Sequence, residues 1–404
     1  MSTGLLYHGF GIRGYRYVRT NYVHGGVEFV VDQDRRHWRC SACGSRRVRA
    51  KGRKPREFRC VPIGTRPVTI RFDVPRVECL ECGKIRQVKI TFADTRRRYT
   101  KAFRNYVLSL AQCMTILDVS LLLNVSWGMI KEIQKEDLER RFGKPSLKGL
   151  RRIAIDEIAV RKGRRYLTVV LDLGSGRVVF VGNGKGSDAL KPFWTRVRRS
   201  RAKIEAVATD MSWAYIFAVS ENLPGVEIVC DRFHVVKLLN DKLTDLRREL
   251  YRSATDVLEK EVLKGIRWLL LKRPENLDQQ RNESQRLEEA LKVNEPLALA
   301  YYLKEQLGEF WELDDRDEAE AFLLDWVALA EASGIAVLIS FARTLRLHAL
   351  RLLAWYDYPI STGPLEGVNN KIKTMKRQAY GYRDHEFFRL KILALHETRY
   401  ALVG

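Results

Sequence analysis

The 404-residue sequence has no long apolar run and no charged-then-apolar segment after Met1. A membrane-spanning helix needs about 20 apolar residues and a secretory signal needs a basic segment before an apolar one, so the sequence predicts neither. We therefore expect a cytoplasmic protein that does not bind membranes. Cysteine is scarce, and its odd number, seven, argues against a disulfide framework. The hydrophobic fraction of 46% excludes wholesale disorder, and the length predicts two or three domains.

Acidic residues are outnumbered, because 49 Asp and Glu stand against 72 Lys and Arg and leave a net charge of +23. The excess is uneven: residues 34–101 contain 21 Lys or Arg and 6 acids, so this short region supplies +15. A surface of this sign attracts polyanions. The charge therefore predicts a nucleic-acid partner and, in the cytoplasm, association with the nucleoid.

Four of the seven cysteines form two CxxC pairs, Cys40 with Cys43 and Cys79 with Cys82. Each pair places two thiolates on one tight turn, and two such turns make the tetrahedral sulfur set of a Zn²⁺ site. Four thiolates leave no open position for substrate, so this zinc is expected to be structural. The 35 residues between the pairs predict a small sheet, because residues 68–77 alternate. Cys60 lies between the pairs and could replace a ligand.

From Tyr99 the hydrophobic period becomes helical and predicts helices at residues 102–113, 115–123 and 127–140. Asn124 tolerates the left-handed backbone of a tight turn, and Ser126 is a suitable N-cap for the third helix. The pattern predicts a helix-turn-helix whose second helix enters a major groove, with Ser126, Trp127 and Lys131 as DNA-binding candidates. A plain helical bundle is the alternative.

After a linker at residues 143–149, the sequence predicts strands at 151–157, 165–173, 177–182, 204–209 and 226–230, and helices at 187–199 and 212–221. This order is that of the RNase-H-like fold, a mixed sheet with helices. In that fold one acid lies on the central first strand and another just beyond the fourth strand. Asp156 and Asp210 occupy these positions, in apolar surroundings where an unpaired carboxylate is costly.

A third acid follows a long helical stretch. Residues 246–350 have a helical period and many i,i+4 charge pairs, which predicts an all-helical insertion into the RNase-H-like domain. A Gly-Pro pair then predicts a helix start, with Glu366 in the first turn. Asn370, Lys373 and Arg377 fall close to Glu366 along one stripe, which suits a metal ion and a phosphate backbone.

The three acids point to metal-dependent phosphodiester cleavage. That chemistry uses two divalent ions about 4 Å apart, and hard oxygen ligands suit Mg²⁺ or Mn²⁺. Asp156, Asp210 and Glu366 are therefore our candidates for holding two ions. Ser361 or Thr362 is expected to cap the helix that carries Glu366.

Asp231 and His234 follow the last predicted strand, in the segment Cys-Asp-Arg-Phe-His. An Asp near a helix start with His three residues later can orient a phosphate or the attacking water, which makes both residues secondary catalytic candidates. The alternative is a helix N-cap beside a packed histidine.

These motifs, taken in order, resemble the DDE transposases of bacterial insertion sequences, and most of all the ISL3 family. The resemblance covers nearly the whole chain and lies in the CxxC pairs, the helix-turn-helix, Ile-Asp156-Glu, Thr-Asp210-Met-Ser, Asp231-Arg-Phe-His234 and Gly-Pro-Leu-Glu366-Gly-Val-Asn-Asn-Lys. It implies that Asp156, Asp210 and Glu366 form the DDE triad. It also implies that the zinc and helix-turn-helix modules bind the element's terminal inverted repeats. It leaves the role of Cys60 open.

Together these patterns predict a multidomain α+β protein. The expected segments are a zinc-binding module (1–95), a helix-turn-helix (96–145), an RNase-H-like core (146–245), an all-helical insertion (246–350) and the rest of the core (351–404). The expected function is a transposase that cleaves element ends and joins the 3′-hydroxyls to target DNA, as a homo-oligomer on double-stranded DNA. The alternatives are a catalytically inactive DNA-binding regulator and a nuclease without strand transfer.

Overall fold

The computed structural model describes residues 4–161 and 165–397, which form two compact units, residues 4–141 and 142–397. Residues 1–3 and 398–404, at the ends of the predicted zinc-binding and C-terminal segments, lie outside the described residues. Within those two described ranges, no helix is both long enough and apolar enough to cross a membrane.

The first unit contains a five-stranded sheet followed by three helices. Its elements are α1 (Leu5–His8), β1 (Arg16–Val23), β2 (Gly26–Asp32), β3 (Val48–Ile63), β4 (Arg66–Cys79), β5 (Ile85–Gln87), α2 (Lys101–Leu110), α3 (Ile116–Leu123) and α4 (Trp127–Phe142). The sheet order is β1-β2-β4-β3, and β5 pairs with β4. Only the β2–β4 pair within this sheet is parallel.

Strands β3 and β4 form the sheet that the spacing between the cysteine pairs predicts. Val68, Ile70 and Phe72 are fully buried at every second position of β4, so one face of this strand covers the core. The antiparallel register pairs Val48 with Cys79. The hairpin therefore returns the chain to the first CxxC pair just where the second pair begins.

Helices α2 to α4 follow the predicted helix-turn-helix pattern. Thr115 and Asp118 form a capping box at the start of α3. Asn124 ends α3 in the left-handed conformation, with φ of 48°. Helix α2 ends at Leu110, earlier than predicted, because the chain makes a tight turn there and the Cys113 N–H donates to the Leu110 carbonyl.

The second unit contains a second five-stranded sheet and ten helices among the described residues. Its elements are β6 (Arg152–Arg161), β7 (Arg165–Asp172), β8 (Arg177–Asn183), α5 (Ser187–Arg199), β9 (Ala206–Thr209), α6 (Trp213–Asn222), β10 (Glu227–Cys230), α7 (Arg232–Ser253), α8 (Val257–Gly265), α9 (Glu283–Val293), α10 (Glu295–Glu309), α11 (Arg316–Ala332), α12 (Ala336–Asp357), α13 (Gly363–Gln378) and α14 (His385–Leu393).

The second sheet has the order β10-β9-β6-β7-β8, and its elements follow the predicted sequence of strands and helices. Strands β6, β7 and β8 are antiparallel neighbours, while β9 and β10 run parallel to β6. Parallel neighbours need long crossover connections, and α5 and α6 provide them while covering one face of the sheet. Strand β6 extends beyond the predicted end at Glu157 because Ile158 is buried and pairs with Leu167.

Helices α7 to α12 pack around their own large apolar core. Fully buried side chains such as Leu297, Trp326 and Phe341 come from three different helices of this group. Helix α13 then returns the chain to strand β6, and α14 packs on β8. The helical period of this stretch thus corresponds to a packed helical region.

Candidate active site and zinc site

Three acids lie side by side at one edge of the second sheet. Strand β9 runs parallel to β6, with Ala208 beside Ala154. Asp210 and Asp156 each lie two residues further on, so the same register places them beside each other. Asp231 follows β10 directly, and the β9–β10 register places it on the other side of Asp210. Neighbouring strands are about 4.8 Å apart, and positions in register share a face. The fold therefore brings three carboxylates to one place.

Asp156 is half-buried, and both of its carboxylate oxygens accept hydrogen bonds. Its Oδ1 accepts from the Glu157 N–H at 2.7 Å and its Oδ2 from the Asn369 side-chain amide at 2.8 Å. Burial raises the pKa of Asp156 and the nearby charge of Asp210 adds to this effect, although the Glu157 N–H and His234 oppose it. Burial is the main cause of this raised pKa, and a bound cation would favour the charged form of the carboxylate.

Asp231 and His234 form a pair beside Asp156 and Asp210. His234 Nδ1 lies 3.3 Å from Asp231 Oδ2, and Asp231 is almost fully buried. Burial works against protonation of His234, but Asp231 and the charges of Asp156 and Asp210 outweigh it and raise the pKa of His234. Burial likewise disfavours the charged form of Asp231, but the bonds from His234 and Thr362 lower the pKa of Asp231 overall.

The alternative prediction, that Asp231 is a helix N-cap, holds for its position but not for its side chain. Asp231 occupies the N-cap position of α7, but its side chain makes no capping hydrogen bond there. Instead Asp231 Oδ1 accepts from the Thr362 N–H, 3.0 Å away, at the start of α13. Thr362 likewise does not cap α13 with its side chain, whereas Ser361 Oγ accepts from the Gly363 N–H at 3.3 Å. Of the two predicted caps, Ser361 is therefore the one in contact with the helix start.

Glu366 lies in the first turn of α13, as predicted, and is half-buried. The helix is attached to the sheet on both sides of it, by the Thr362 N–H to Asp231 and by Asn369 to Asp156. Residues spaced four and three apart lie on one face of a helix. Glu366 therefore shares the face of α13 that meets the acids of the sheet.

The amide that contacts these acids is that of Asn369, whereas the sequence pattern pointed to Asn370. Asn369 is 4% exposed and contacts Asp156, whereas Asn370 is exposed. Positions three and four residues after Glu366 both fit its helix face, so spacing alone does not separate them. Only the packing of α13 on β6 does so.

Asn370, Lys373 and Arg377 line a groove of about 410 Å³ between α13 and the far half of β6. All three side chains are exposed. The Lys376 ammonium donates to the Val160 carbonyl in the same groove. The predicted cationic stripe therefore runs along β6, on from Asp156.

The donors at this edge fit a hard divalent cation. Mg²⁺ prefers carboxylate and amide oxygens, and Asn369 Oδ1 is a buried oxygen without a hydrogen-bond partner. Buried acceptors are normally paired, and a cation would satisfy this one. In residues 4–161 and 165–397, only four cysteines form a set of three or more His, Cys, Asp or Glu with ligand atoms within 4.8 Å of one another. Asp156, Asp210 and Glu366 therefore do not all lie within 4.8 Å of one another, a spacing that a two-ion site permits.

Replacing Asp156 by Asn should raise the thermal stability of the metal-free chain at neutral pH. Because the folded state raises the pKa of Asp156, ionisation costs stability at any pH above the raised value. That cost disappears as the pH falls toward the ordinary Asp value of about 3.9. Asparagine keeps an oxygen for the Glu157 N–H, and Asn369 can turn its amide to accept from the new NH₂ group.

Calorimetry of wild type and Asp156→Asn without divalent ions would measure this effect. We expect a higher Tm for the variant at pH 7 and no difference below about pH 4. Adding Mn²⁺ should raise the Tm of the wild type more than that of the variant, because only ligand-binding folded chains gain stability. A variant that melts below wild type at pH 7 would show that Asp156 is held for structure.

The four cysteines of the two CxxC pairs meet in the first unit, as predicted. Cys40 Sγ lies 3.7 Å from Cys82 Sγ, and Cys43 Sγ lies 3.5 Å from Cys79 Sγ. Backbone amides of Cys82 and Glu81 lower the pKa of Cys79 to about 6. Thiolates in a compact set of four are the ligands of a structural zinc, and the residues present fit that ion.

Cys60 is not part of this set. It is fully buried in β3, where the Thr100 hydroxyl donates to its sulfur at 3.6 Å. Burial raises the pKa of Cys60, which disfavours the thiolate that a metal needs. The possibility that Cys60 replaces a zinc ligand is therefore wrong for this structure.

The predicted DNA-binding residues of the helix-turn-helix lie at the start of α4. Ser126 Oγ accepts from the Met129 N–H at 3.2 Å and so caps the helix. Trp127 is 48% exposed, and the Lys131 ammonium lies 5.5 Å from the centre of its ring. An exposed aromatic ring and a cation at a helix start are available for contact with DNA.

Three family models match the chain. A model described as "Transposase", for the DDE domain of the ISL3 family, matches residues 153–392. A zinc-finger model of transposases IS204, IS1001, IS1096 and IS1165 matches residues 36–82. The helix-turn-helix domain of transposase family ISL3 matches residues 88–136.

Individual proteins agree with these models. The chain is 33% identical over 358 residues to the transposase for insertion sequence element IS1001 of Bordetella parapertussis, covering 88% of each chain. It is 29% identical over 394 residues to the transposase for IS1557 of Mycobacterium tuberculosis, covering 91% of this chain and 87% of that one. A Drosophila P element transposase strand transfer complex aligns with 76% of this chain and 94% of that one, at 10% identity and a TM-score of 0.43.

Proposed function

Because the chain belongs to the ISL3 family of insertion-sequence transposases, we propose that it moves its element by two phosphoryl transfers. In the first, a water oxygen attacks the phosphodiester at each element end, the P–O3′ bond breaks, and a 3′-hydroxyl is freed. In the second, that 3′-hydroxyl oxygen attacks a phosphodiester of target DNA and displaces its O3′. Each step exchanges one P–O bond for another, so no oxidant or co-reactant is needed.

The observation that carries this proposal is the edge of the second sheet. Asp156 and Asp210 lie beside each other there, and two hydrogen bonds attach the helix of Glu366 to the same edge. The strand order β10-β9-β6-β7-β8 supports an RNase-H-like core. The helices α7 to α12 then form an insertion between β10 and α13.

Asp156, Asp210 and Glu366 would hold two Mg²⁺ or Mn²⁺ ions. When bound, such ions activate the attacking oxygen and stabilise the leaving oxygen. The cations of the groove, Lys373 and Arg377, would hold the phosphate backbone in line with the acids. His234 would contact a phosphate oxygen, because its charged form is favoured by the acids around it.

The first unit would recognise the element ends. Its zinc module carries much of the positive charge of the chain, and α4 would place Ser126, Trp127 and Lys131 against the terminal inverted repeats. Because two ends must be joined in one complex, we propose a homo-oligomer on DNA.

The test is a reaction of the full chain with Mg²⁺, a DNA fragment bearing the terminal inverted repeats, and a supercoiled target. We expect free 3′-hydroxyl ends and, later, element ends joined to the target, with Ca²⁺ supporting end binding only. Nicked ends without joined products would indicate a nuclease. End binding without cleavage in Mg²⁺ or Mn²⁺ would indicate a regulator and overturn the proposal.

A further inference from the structure

Helix α13 is held to the sheet by two hydrogen bonds, one on each side of Glu366. The Thr362 N–H donates to Asp231 Oδ1 at 3.0 Å, and the Asn369 side-chain amide donates to Asp156 Oδ2 at 2.8 Å. We infer that Asp231 is a positioning residue that, with Asn369, fixes Glu366 against Asp156 and Asp210. This inference rests on the proposed function, because it assigns how the third acid of that site is held.

Chain connectivity cannot position Glu366 by itself. Asp231 and Thr362 are 131 residues apart in sequence, and Asp156 and Asn369 are 213 apart. The helices α7 to α12 lie between them in sequence and pack around their own core. Small movements of that region would shift Glu366 unless α13 were attached to the sheet directly. The two bonds supply this attachment.

The spacing of the contacts determines what they hold. Thr362, Glu366 and Asn369 follow at intervals of four and three, so they lie on one face of the helix. The Glu366 N–H donates to the Thr362 carbonyl at 2.9 Å, which shows that the helical turn is intact from the first contact to the acid. Glu366 is therefore fixed from both sides and cannot rotate away while both bonds hold.

Burial makes these contacts costly to lose. Asp231, Thr362 and Asn369 are 1%, 2% and 4% exposed, so water cannot replace a missing partner. The Asp231 carboxylate holds α13 through one oxygen: its Oδ1 accepts from the Thr362 N–H, while its Oδ2 lies 3.3 Å from His234 Nδ1 without a hydrogen bond.

Binding of Mn²⁺ to the full chain, followed by electron paramagnetic resonance, would test the inference. Asp231→Ala should weaken Mn²⁺ binding about 10- to 100-fold, as changes in groups that orient metal ligands do. Asn294→Ala removes another buried side chain that contacts a helix start, that of α10, and should leave Mn²⁺ binding unchanged. Circular dichroism would confirm that all variants fold.

Measuring Asp231→Ala in a chain that already carries Glu366→Gln separates a positioning role of Asp231 from direct contact with the ion. In Glu366→Gln chains, Asp231→Ala should cause less than about a twofold further loss of Mn²⁺ affinity, because a positioning residue acts only through Glu366. Equal losses in both backgrounds would mean that Asp231 acts on the ion itself and would overturn the inference. So would unchanged Mn²⁺ affinity of Asp231→Ala in the wild-type background.

The conservative variant Asp231→Asn provides a rescue. Its oxygen still accepts from the Thr362 N–H, so Mn²⁺ affinity should stay within a fewfold of wild type, and hydrogen exchange of the first turn of α13 should stay slow. Asp231→Ala should speed that exchange, and unchanged exchange would overturn the inference. Asp210→Asn tests the proposed function separately. If Asp210→Asn abolishes Mn²⁺ binding while Asp231→Ala leaves it unchanged, only the positioning role fails.

Discussion

Asp210→Asn should lower the rate of cleavage at the element ends by about a thousandfold or more, because under the proposed mechanism a residue that would hold the ions loses its charge. Binding of the end DNA should stay close to wild type. Asp210 Oδ1 accepts from the Ser212 N–H at 3.0 Å, and the oxygen of asparagine can make the same bond. The start of α6 is therefore preserved while the charge is removed, and a cleavage assay beside a mobility-shift assay separates the two effects.

Asp172→Asn is the matched control for this experiment. Asp172 makes the same local bond, since its Oδ1 accepts from the Gly174 N–H at 3.0 Å, but it is the last residue of β7. The control should cleave like wild type. Loss of DNA binding by Asp210→Asn would assign Asp210 a structural role, and retained cleavage would remove it from the catalytic set.

Replacing Cys79 and Cys82 by Ser should release the zinc and abolish binding of the element ends. A structural zinc contributes about 10 kcal/mol or more to the folding of a small module, more than the stability margin of most domains. The second CxxC pair ends β4, whose partner strand β3 begins close to the first pair. Without the ion, the four cysteines no longer hold these two turns against each other, so the basic surface around them loses its shape.

Zinc content and end binding should be measured on the same samples. Cys113→Ser removes an exposed cysteine outside the set and should change neither. Cys60→Ala should keep the zinc content of wild type, because Cys60 lies in the core of the sheet. Zinc retained by the double variant, or absent from wild type, would refute the metal module.

Much of this fold could be predicted because its signals are local. The alternation of residues in β4 and the left-handed Asn124 between α3 and α4 are properties of a few neighbouring residues, and the structure confirms them. The two CxxC pairs could be predicted equally well, since each is one tight turn. Strand β6 was predicted too short because pairing with β7, not its own pattern, extends it.

The details of the candidate active site could not be predicted as well from the sequence. The sequence pointed to Asn370 and to either Ser361 or Thr362 as the cap of α13. In the structure Asn369 contacts Asp156, and the Thr362 N–H donates to Asp231. Residues three and four positions after an acid share its helix face equally well. Which one becomes buried depends on how the helix is rotated against the sheet, and that rotation is a tertiary property.

The sequence by itself determined the element types and the two CxxC pairs, because helical and strand periods and CxxC turns arise within short stretches. Only the tertiary structure decided that Asp231 stands beside Asp210 and holds the start of α13, and that Cys60 stays apart from the other cysteines. These are contacts between residues far apart in sequence. They depend on strand register and on the packing of buried side chains, which no local pattern encodes.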